Sequence, residues 1–171
     1  MKSISSKKLK GNIIIPGDKS ISHRLVILSS ISIGKSTIKG ILKSDDIMKS
    51  INVMRSFGAS IDFTSSNNCI IRGIGLGGLE EPKSALDFGN SGTSARLIMG
   101  LSSTHPITTI FTGDDSLSMR PMKRVVKPLL NFGSNFSLRK DNFLPLILKG
   151  TDNSIPFNYK FYRISDQLDT G

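Results

Sequence analysis

STIKGILKSDDIMKSINVMRSFGASIDFTSSNNCIIRG (residues 36–73) is echoed by TTIFTGDDSLSMRPMKRVVKPLLNFGSNFSLRKDNFLPLILKG (residues 108–150). Each stretch reads as a short strand, an Asp-Asp turn, an amphipathic helix, a Phe-Gly pair and two further strands. Asp45-Asp46 answers Asp114-Asp115, and Phe57-Gly58 answers Phe132-Gly133. The two glycines lie about 75 residues apart, beyond the period of about 20–50 residues that marks solenoids. The repeat is therefore a supersecondary module, and the chain reads as an α/β (α+β) protein.

Within the first copy, Ile47, Met48, Ile51, Met54 and Phe57 recur at helical spacing. Asp45 and Asp46 suit the N-cap and first turn, where acidic groups meet the positive end of the helix dipole. Gly58 suits a left-handed C-terminal cap. Ser60 to Phe63 alternates like a half-buried strand, Asn67-Asn68 makes a turn, and Cys69-Ile70-Ile71 returns as its partner. The unit is thus βαββ. Between the copies, SALDFGNSGTSARLIMGLSS (84–103) reads as a strand end, a Gly-rich turn and a helix with Leu97, Ile98 and Leu101 on its apolar face. A similar junction occurs upstream, where an expected strand Asn12–Ile15 meets PGDKS (16–20) and the helical run HRLVILSSIS (23–32). Two loops thus enter helices at their N-termini, an anion-binding geometry because free N–H groups point out of a helix start.

The charge balance agrees with that geometry. Twenty-three Lys and Arg face 13 Asp and Glu, a net charge of +10, which concentrates anions around the molecule. Nucleic acid is disfavoured as the partner, since there is no Trp and no basic run is interleaved with stacking side chains. Cys69 is the single cysteine and there are two histidines, so no internal disulfide forms, no structural metal site is expected, and a reducing cytoplasm fits. The apolar patch after Lys10 stops at Pro16-Gly17, short of the roughly 7–15 apolar residues of a secretory segment, and no membrane span is expected.

Three clusters could carry chemistry. PGDKSISHR places Lys19, Ser20 and Arg24 within about one and a half helical turns, where an ammonium, a hydroxyl and a guanidinium can converge on one oxyanion. It is not a Walker loop, because GxxxxGK[ST] is absent. GNSGTSAR offers Asn90, Gly92, Thr93 and Arg96, with glycine allowing close approach to the backbone. In SMRPMKR, Pro121 is expected in the first helical turn, with Arg120 held extended before it and its planar fork free for a carboxylate. Lys123, Arg124 and Lys127 read as a solvated basic face. The competing reading of each cluster is a capped helix with solvated charges. His23 could act as a base, but a histidine in a first helical turn more often packs or hydrogen-bonds.

The motifs PGDKSISHR, LKSDD, FGNSGTSARL and TGDDSLSMRPM, in this order and spacing, resemble the 5-enolpyruvylshikimate-3-phosphate synthase family. The related enolpyruvyl transferases acting on UDP-N-acetylglucosamine do not share DKSISHR in the first loop. The resemblance covers the whole chain, while family members are more than twice as long, so the chain is expected to be an N-terminal part. It implies an enolpyruvyl transferase-like inside-out α/β barrel of repeated βαβαββ units, incomplete here. Residues 1–18 would pack with the C-terminal domain, and residues 19–171 would form an N-terminal domain truncated in its third unit.

The implied reaction transfers the enolpyruvyl group of phosphoenolpyruvate to the 5-hydroxyl of shikimate 3-phosphate and releases phosphate, without metal or organic cofactor. By motif position, Lys19 would touch both substrates, and Ser20 and Arg24 would hold shikimate 3-phosphate. Gly92 and Arg120 would bind phosphoenolpyruvate, with Asn90 and Thr93 shaping that loop; Gly92 implies the tight loop associated with glyphosate sensitivity. In YKFYRISDQLDTG, Ser165 and Gln167 would join the shikimate 3-phosphate site. There Asp166 replaces a small residue and Asp169 stands where Lys is common, and an added carboxylate repels a phosphate. The family's catalytic Asp, Glu and Lys come from the C-terminal half, so no catalytic residue is expected in this chain. The alternatives are a non-catalytic remnant, a shikimate 3-phosphate-binding module, or half of a split enzyme with a separate C-terminal partner.

Overall fold

The computed structural model describes residues 10–139 and 142–160. Helix α1 (Lys19–Ser30) leads into strand β1 (Ile33–Lys39), helix α2 (Asp45–Ser56) and the hairpin β2 (Ser60–Phe63) and β3 (Asn68–Ile74). The second unit runs through β4 (Leu86–Asp87), α3 (Gly92–Ser102), β5 (Thr108–Thr112), the one-turn α4 (Asp115–Ser118), α5 (Lys123–Phe132), β6 (Asn135–Leu138) and β7 (Leu146–Lys149).

The repeat holds in the pairing as well as in the order of elements. One sheet has the order β1-β3-β2 and the other β4-β5-β7-β6. In each, the last strand is inserted between the two before it, β3 between β1 and β2 and β7 between β5 and β6, antiparallel to both. Strand β4 joins β5 in parallel and makes the second unit βαβαββ. Among the described residues the sheets do not close into a barrel. In both copies the glycine of the Phe-Gly pair takes the left-handed conformation after the long helix, with φ +101° at Gly58 and +112° at Gly133.

Three local expectations are corrected. Asn12–Ile15 forms no strand: the segment pairs with nothing among the described residues and Ile14 is 98% exposed, because a strand exists only by virtue of a hydrogen-bonded neighbour. Pro121 does not open the second unit's long helix. Met119–Met122 instead separate α4 from α5, whose first residue is Lys123 and whose N-cap is Met122. Ser44, not an aspartate, is the N-cap of α2, and Asp45 and Asp46 occupy its first turn.

Both units share one core. Ile38, Ile47, Ile51, Met54, Phe57, Ile61 and Ile71 fill the first unit, and Phe88, Ile98, Met99, Phe111, Leu117, Met122 and Leu148 the second. Phe88 and Phe111 stack at 5.2 Å between centroids, joining β5 to the turn after β4. On α1, Ile21, Leu25 and Leu28 lie on the opposite side from this core and stay exposed, an apolar stripe at helical spacing. Among the described residues no helix is long and apolar enough to cross a membrane.

Candidate functional site

The starts of α1, α2 and α3 and the turn before α4 meet around a cavity of about 690 Å³. It is lined by Lys19, Asp45, Asp46, Met48, Lys49, Asn52, Gly89, Asn90 and Asp114. Each wall is held by local hydrogen bonding. At α1, the Asp18 carboxylate caps the helix by accepting from the Ile21 N–H at 2.8 Å, which leaves the amides of Lys19 and Ser20 without an intramolecular acceptor among the described residues. Gly17 lets this loop pass against the end of β1: a β-carbon there would lie 2.2 Å from the Gly40 carbonyl oxygen.

The second wall is the turn Phe88–Ser91. Asp87 accepts from the Gly89 N–H at 2.8 Å and pairs with Lys49. The Lys49 hydrogen bond, then that of Gly89, holds the Asp87 carboxyl below the usual carboxylate range. Backbone bonds from Phe88 N to Thr112 O (3.0 Å) and from Asp114 N to Gly89 O (2.9 Å) tie this turn to the next one. There the Asp114 side chain caps α4 through the Leu117 N–H at 2.7 Å. The capped turn delivers Arg120, whose Nη2 donates to Asn90 Oδ1 (2.6 Å) and Ser116 Oγ (3.0 Å).

The positive charge is not spread over the cavity walls. Lys19 pairs with Asp46 and Lys49 with Asp87, while Asp45 and Asp114 add negative charge to the lining. The excess cations stand beside it. Burial first, and then the guanidiniums of Arg124 and Arg120, lower the pKa of Arg96, without removing its charge near neutrality. Like-charged guanidiniums drawn together raise the local potential and favour an anion among them. The walls thus offer carboxylates and amides for hydroxyl groups, and the arginines beside them, reached through Asn90, could hold an anion.

Of the residues singled out in the sequence, Lys19 and Asn90 line the same cavity, Arg120 is bonded to Asn90, and Gly92 lies under Arg96 and Arg120. Ser20 and Arg24 lie on the exposed face of α1, where Arg24 donates to the Ser20 carbonyl at 3.0 Å, and neither lines the cavity. Thr93 is exposed in the first turn of α3. Ser165 and Gln167 lie outside the described residues. Asp45, Asp46, Lys49, Asn52, Gly89 and Asp114 were not among the expected site residues. The signal for Asp45, Asp46 and Asp114 is the Asp-Asp repeat, which reads equally well as a pair of helix caps; Lys49, Asn52 and Gly89 carry no comparable signal.

Gly92 gives a sharp test of this geometry. A β-carbon there would stand 2.7 Å from Arg96 Nη1 and 3.5 Å from Arg120 Nη1, so Gly92→Ala must displace one guanidinium or both. The expected result is about tenfold weaker binding of a small phosphate- or carboxylate-bearing anion beside these guanidiniums, or about 1.4 kcal/mol, with little change in thermal midpoint because flexible side chains can move aside. Isothermal titration calorimetry and a melting curve on the same preparation check both parts.

The class of protein is a duplicated α/β unit whose helix starts meet at one cavity with an arginine cluster beside it. The profile of the family EPSP synthase (3-phosphoshikimate 1-carboxyvinyltransferase) matches residues 4–169, and the chain belongs to that family. It is 45% identical over 160 residues to the 3-phosphoshikimate 1-carboxyvinyltransferase of Novosphingobium aromaticivorans, covering 94% of this chain and 36% of that protein. Against the Sphingopyxis alaskensis protein of the same name it is 46% identical over 168 residues, 96% of this chain and 38% of that one. The solved EPSP synthase of Acinetobacter baumannii superposes with a TM-score of 0.83 at 36% identity, over 87% of this chain and 34% of that chain. The chain therefore spans little more than a third of the length of these relatives.

Proposed function

We propose that this chain is the substrate-binding N-terminal part of a 3-phosphoshikimate 1-carboxyvinyltransferase. The reaction transfers the enolpyruvyl group of phosphoenolpyruvate to the 5-hydroxyl of shikimate 3-phosphate and releases phosphate, in the cytoplasm and without a metal or organic cofactor. The observation that carries this reading is the junction of two family motifs at one cavity: Lys19 of the first loop and Asn90 of the second share its wall, and Arg120 is bonded to Asn90.

In this reading Lys19 exchanges its pairing with Asp46 for a substrate anion, and Ser20 and Arg24 hold the phosphate of shikimate 3-phosphate. Gly92 and Arg120 receive phosphoenolpyruvate, Asn90 and Thr93 shape that loop, and Ser165 and Gln167 complete the shikimate 3-phosphate site. The hydroxyl adds to the enol carbon, a proton goes to the methylene, and phosphate leaves the tetrahedral adduct, each step needing positioned acid–base groups. Those groups belong to the C-terminal half, supplied in the same polypeptide or by a separate partner, and closure of the two halves excludes water. Residues 1–18 pack with that half. The exposed Ile13–Ile15 and the apolar stripe on α1 support a larger assembly.

The 171-residue chain alone is expected to bind shikimate 3-phosphate weakly and to release no measurable phosphate from the two substrates. Calorimetry and a phosphate-release assay test the two statements separately. Substantial turnover would overturn the assignment of catalysis to the other half, and absence of shikimate 3-phosphate binding would overturn the binding role.

A further inference from the structure

His23 is fully buried on α1 and takes no part in the binding roles above. Its Nδ1 lies 2.7 Å from Ser50 Oγ on α2, and Ser50 Oγ lies 2.7 Å from Ser94 Oγ on α3. All three side chains have no exposed surface. Ser50 also reaches the Asp46 carbonyl at 3.3 Å. The other ring nitrogen, Nε2, is buried without a hydrogen-bond partner. A buried N–H without an acceptor is rarer and costlier than a bare acceptor lone pair, so the single proton of the neutral ring sits on Nδ1 and is donated to Ser50. Ser94 then donates to Ser50, and Ser50 to the Asp46 carbonyl, which satisfies both hydroxyls of the relay.

We propose that His23 is a positioning residue for the anion site: through Ser50 and Ser94 its neutral ring sets the spacing of the two helix starts that carry Lys19 and Gly92. The inference rests on the reading of those starts as one binding site. Its structural basis is that the three polar residues lie within about one and a half turns of the helix starts that line or flank the cavity. His23 follows Lys19 by four residues, Ser50 follows Asp46 by four, and Ser94 follows Gly92 by two.

A second proton would have to go on Nε2, where burial gives it no acceptor. Burial is the largest influence and lowers the pKa below 6.5; among the charged groups around the ring, Asp46 on α2 favours the cation, and Lys19 and Arg24 on α1 act with burial against it. α3 contributes Ser94 to the relay. Because the folded value is depressed, the unfolded chain binds the proton more readily. The stability contribution is therefore complete above about pH 6.5 and is lost as the pH falls from there through the folded value.

The test is a pH titration of the folded chain, from about pH 8 to about pH 5, following the His23 ring and the backbone amides of Ser20, Gly92 and Ser94 by heteronuclear NMR. The expected result is that the Gly92 and Ser94 amides move with the midpoint of the His23 ring, below 6.5. In Ser50→Ala the ring should still titrate, but those α3 amides should no longer follow it. In His23→Asn, whose amide can donate to Ser50 without titrating, they should stay still throughout. The proposal is overturned if the α3 amides do not respond to the ring, or if they respond equally in Ser50→Ala, which would reduce the effect to a through-space field. Ser94→Ala serves in place of Ser50→Ala should the latter fail to fold. Adding shikimate 3-phosphate at about pH 8 separately tests the binding reading, since its failure leaves the ligand-free titration unchanged.

Discussion

Arg120→Ala is expected, on the proposed reading of Arg120 as a phosphoenolpyruvate ligand, to weaken that binding about 100-fold, or about 2.7 kcal/mol. Arg120 offers a planar fork with five N–H donors. Three of its bonds hold Asn90 and Ser116, and these aim the remaining donors instead of consuming the whole group. Alanine removes the charge, and hydrogen bonds to charged groups contribute about 1.5–3 kcal/mol each. It also frees Asn90, which lines the cavity. Arg120→Lys keeps the charge and loses the fork, so it should fall between wild type and alanine. Calorimetric titration of the folded chain with phosphoenolpyruvate measures all three, and the absence of Trp makes calorimetry preferable to intrinsic fluorescence. An alanine variant within threefold of wild type would remove Arg120 from the site.

The second large effect concerns the repeat itself. Gly150→Ala should destabilise the chain by about 3 kcal/mol, the upper part of the range for overpacking, and lower the thermal midpoint by roughly 6–12 °C. A β-carbon at Gly150 would stand 2.1 Å from the His105 carbonyl oxygen and 2.2 Å from that of Ser102. Both are backbone atoms at the C-terminal end of α3, so no side chain can yield; the strand or the helix end must move. That movement would strain the bonds from Gly150 N to Ile107 O and from Thr151 N to Ser103 O, both 3.0 Å. Gly73 occupies the same place in the first unit, with the Ser32 and Ser29 carbonyl oxygens at 2.1 and 2.5 Å, and Gly73→Ala should cost a similar amount. Gly100→Ala is the control, because α3 leaves open space there and alanine is the better helix former by about 1 kcal/mol. Equal midpoints for Gly150→Ala and Gly100→Ala in a circular dichroism melt would show that this packing is not tight.

Those glycines illustrate how the fold was legible. Each copy of the quoted repeat ends on one of them, yet a terminal glycine in a strand pattern signals only a bend or a close approach; what approaches is decided by the helix that precedes the unit. The Phe-Gly pairs were clearer, because a glycine directly after a helical period points to one backbone conformation, and both adopt it. Asn12–Ile15 misled for the opposite reason. Its apolar run has strand composition, but composition cannot supply the neighbouring strand.

The sequence by itself determined what depends on local spacing: the two βαββ units, the left-handed glycines that end the long helices, the loops before α1 and α3, and family membership through four ordered motifs. Periodicity and capping act over a few residues, so one chain carries them in full. Tertiary structure alone decided which of these features meet. Strand order β1-β3-β2 and its copy bring residues 19, 46 and 90 to one cavity and pair Lys19 with Asp46. The packing of α1, α2 and α3 aligns His23, Ser50 and Ser94, three unremarkable polar positions in the sequence, into one buried chain. Such contacts join residues 27 and 44 positions apart, and they are set by how apolar faces share a core, which no local pattern encodes.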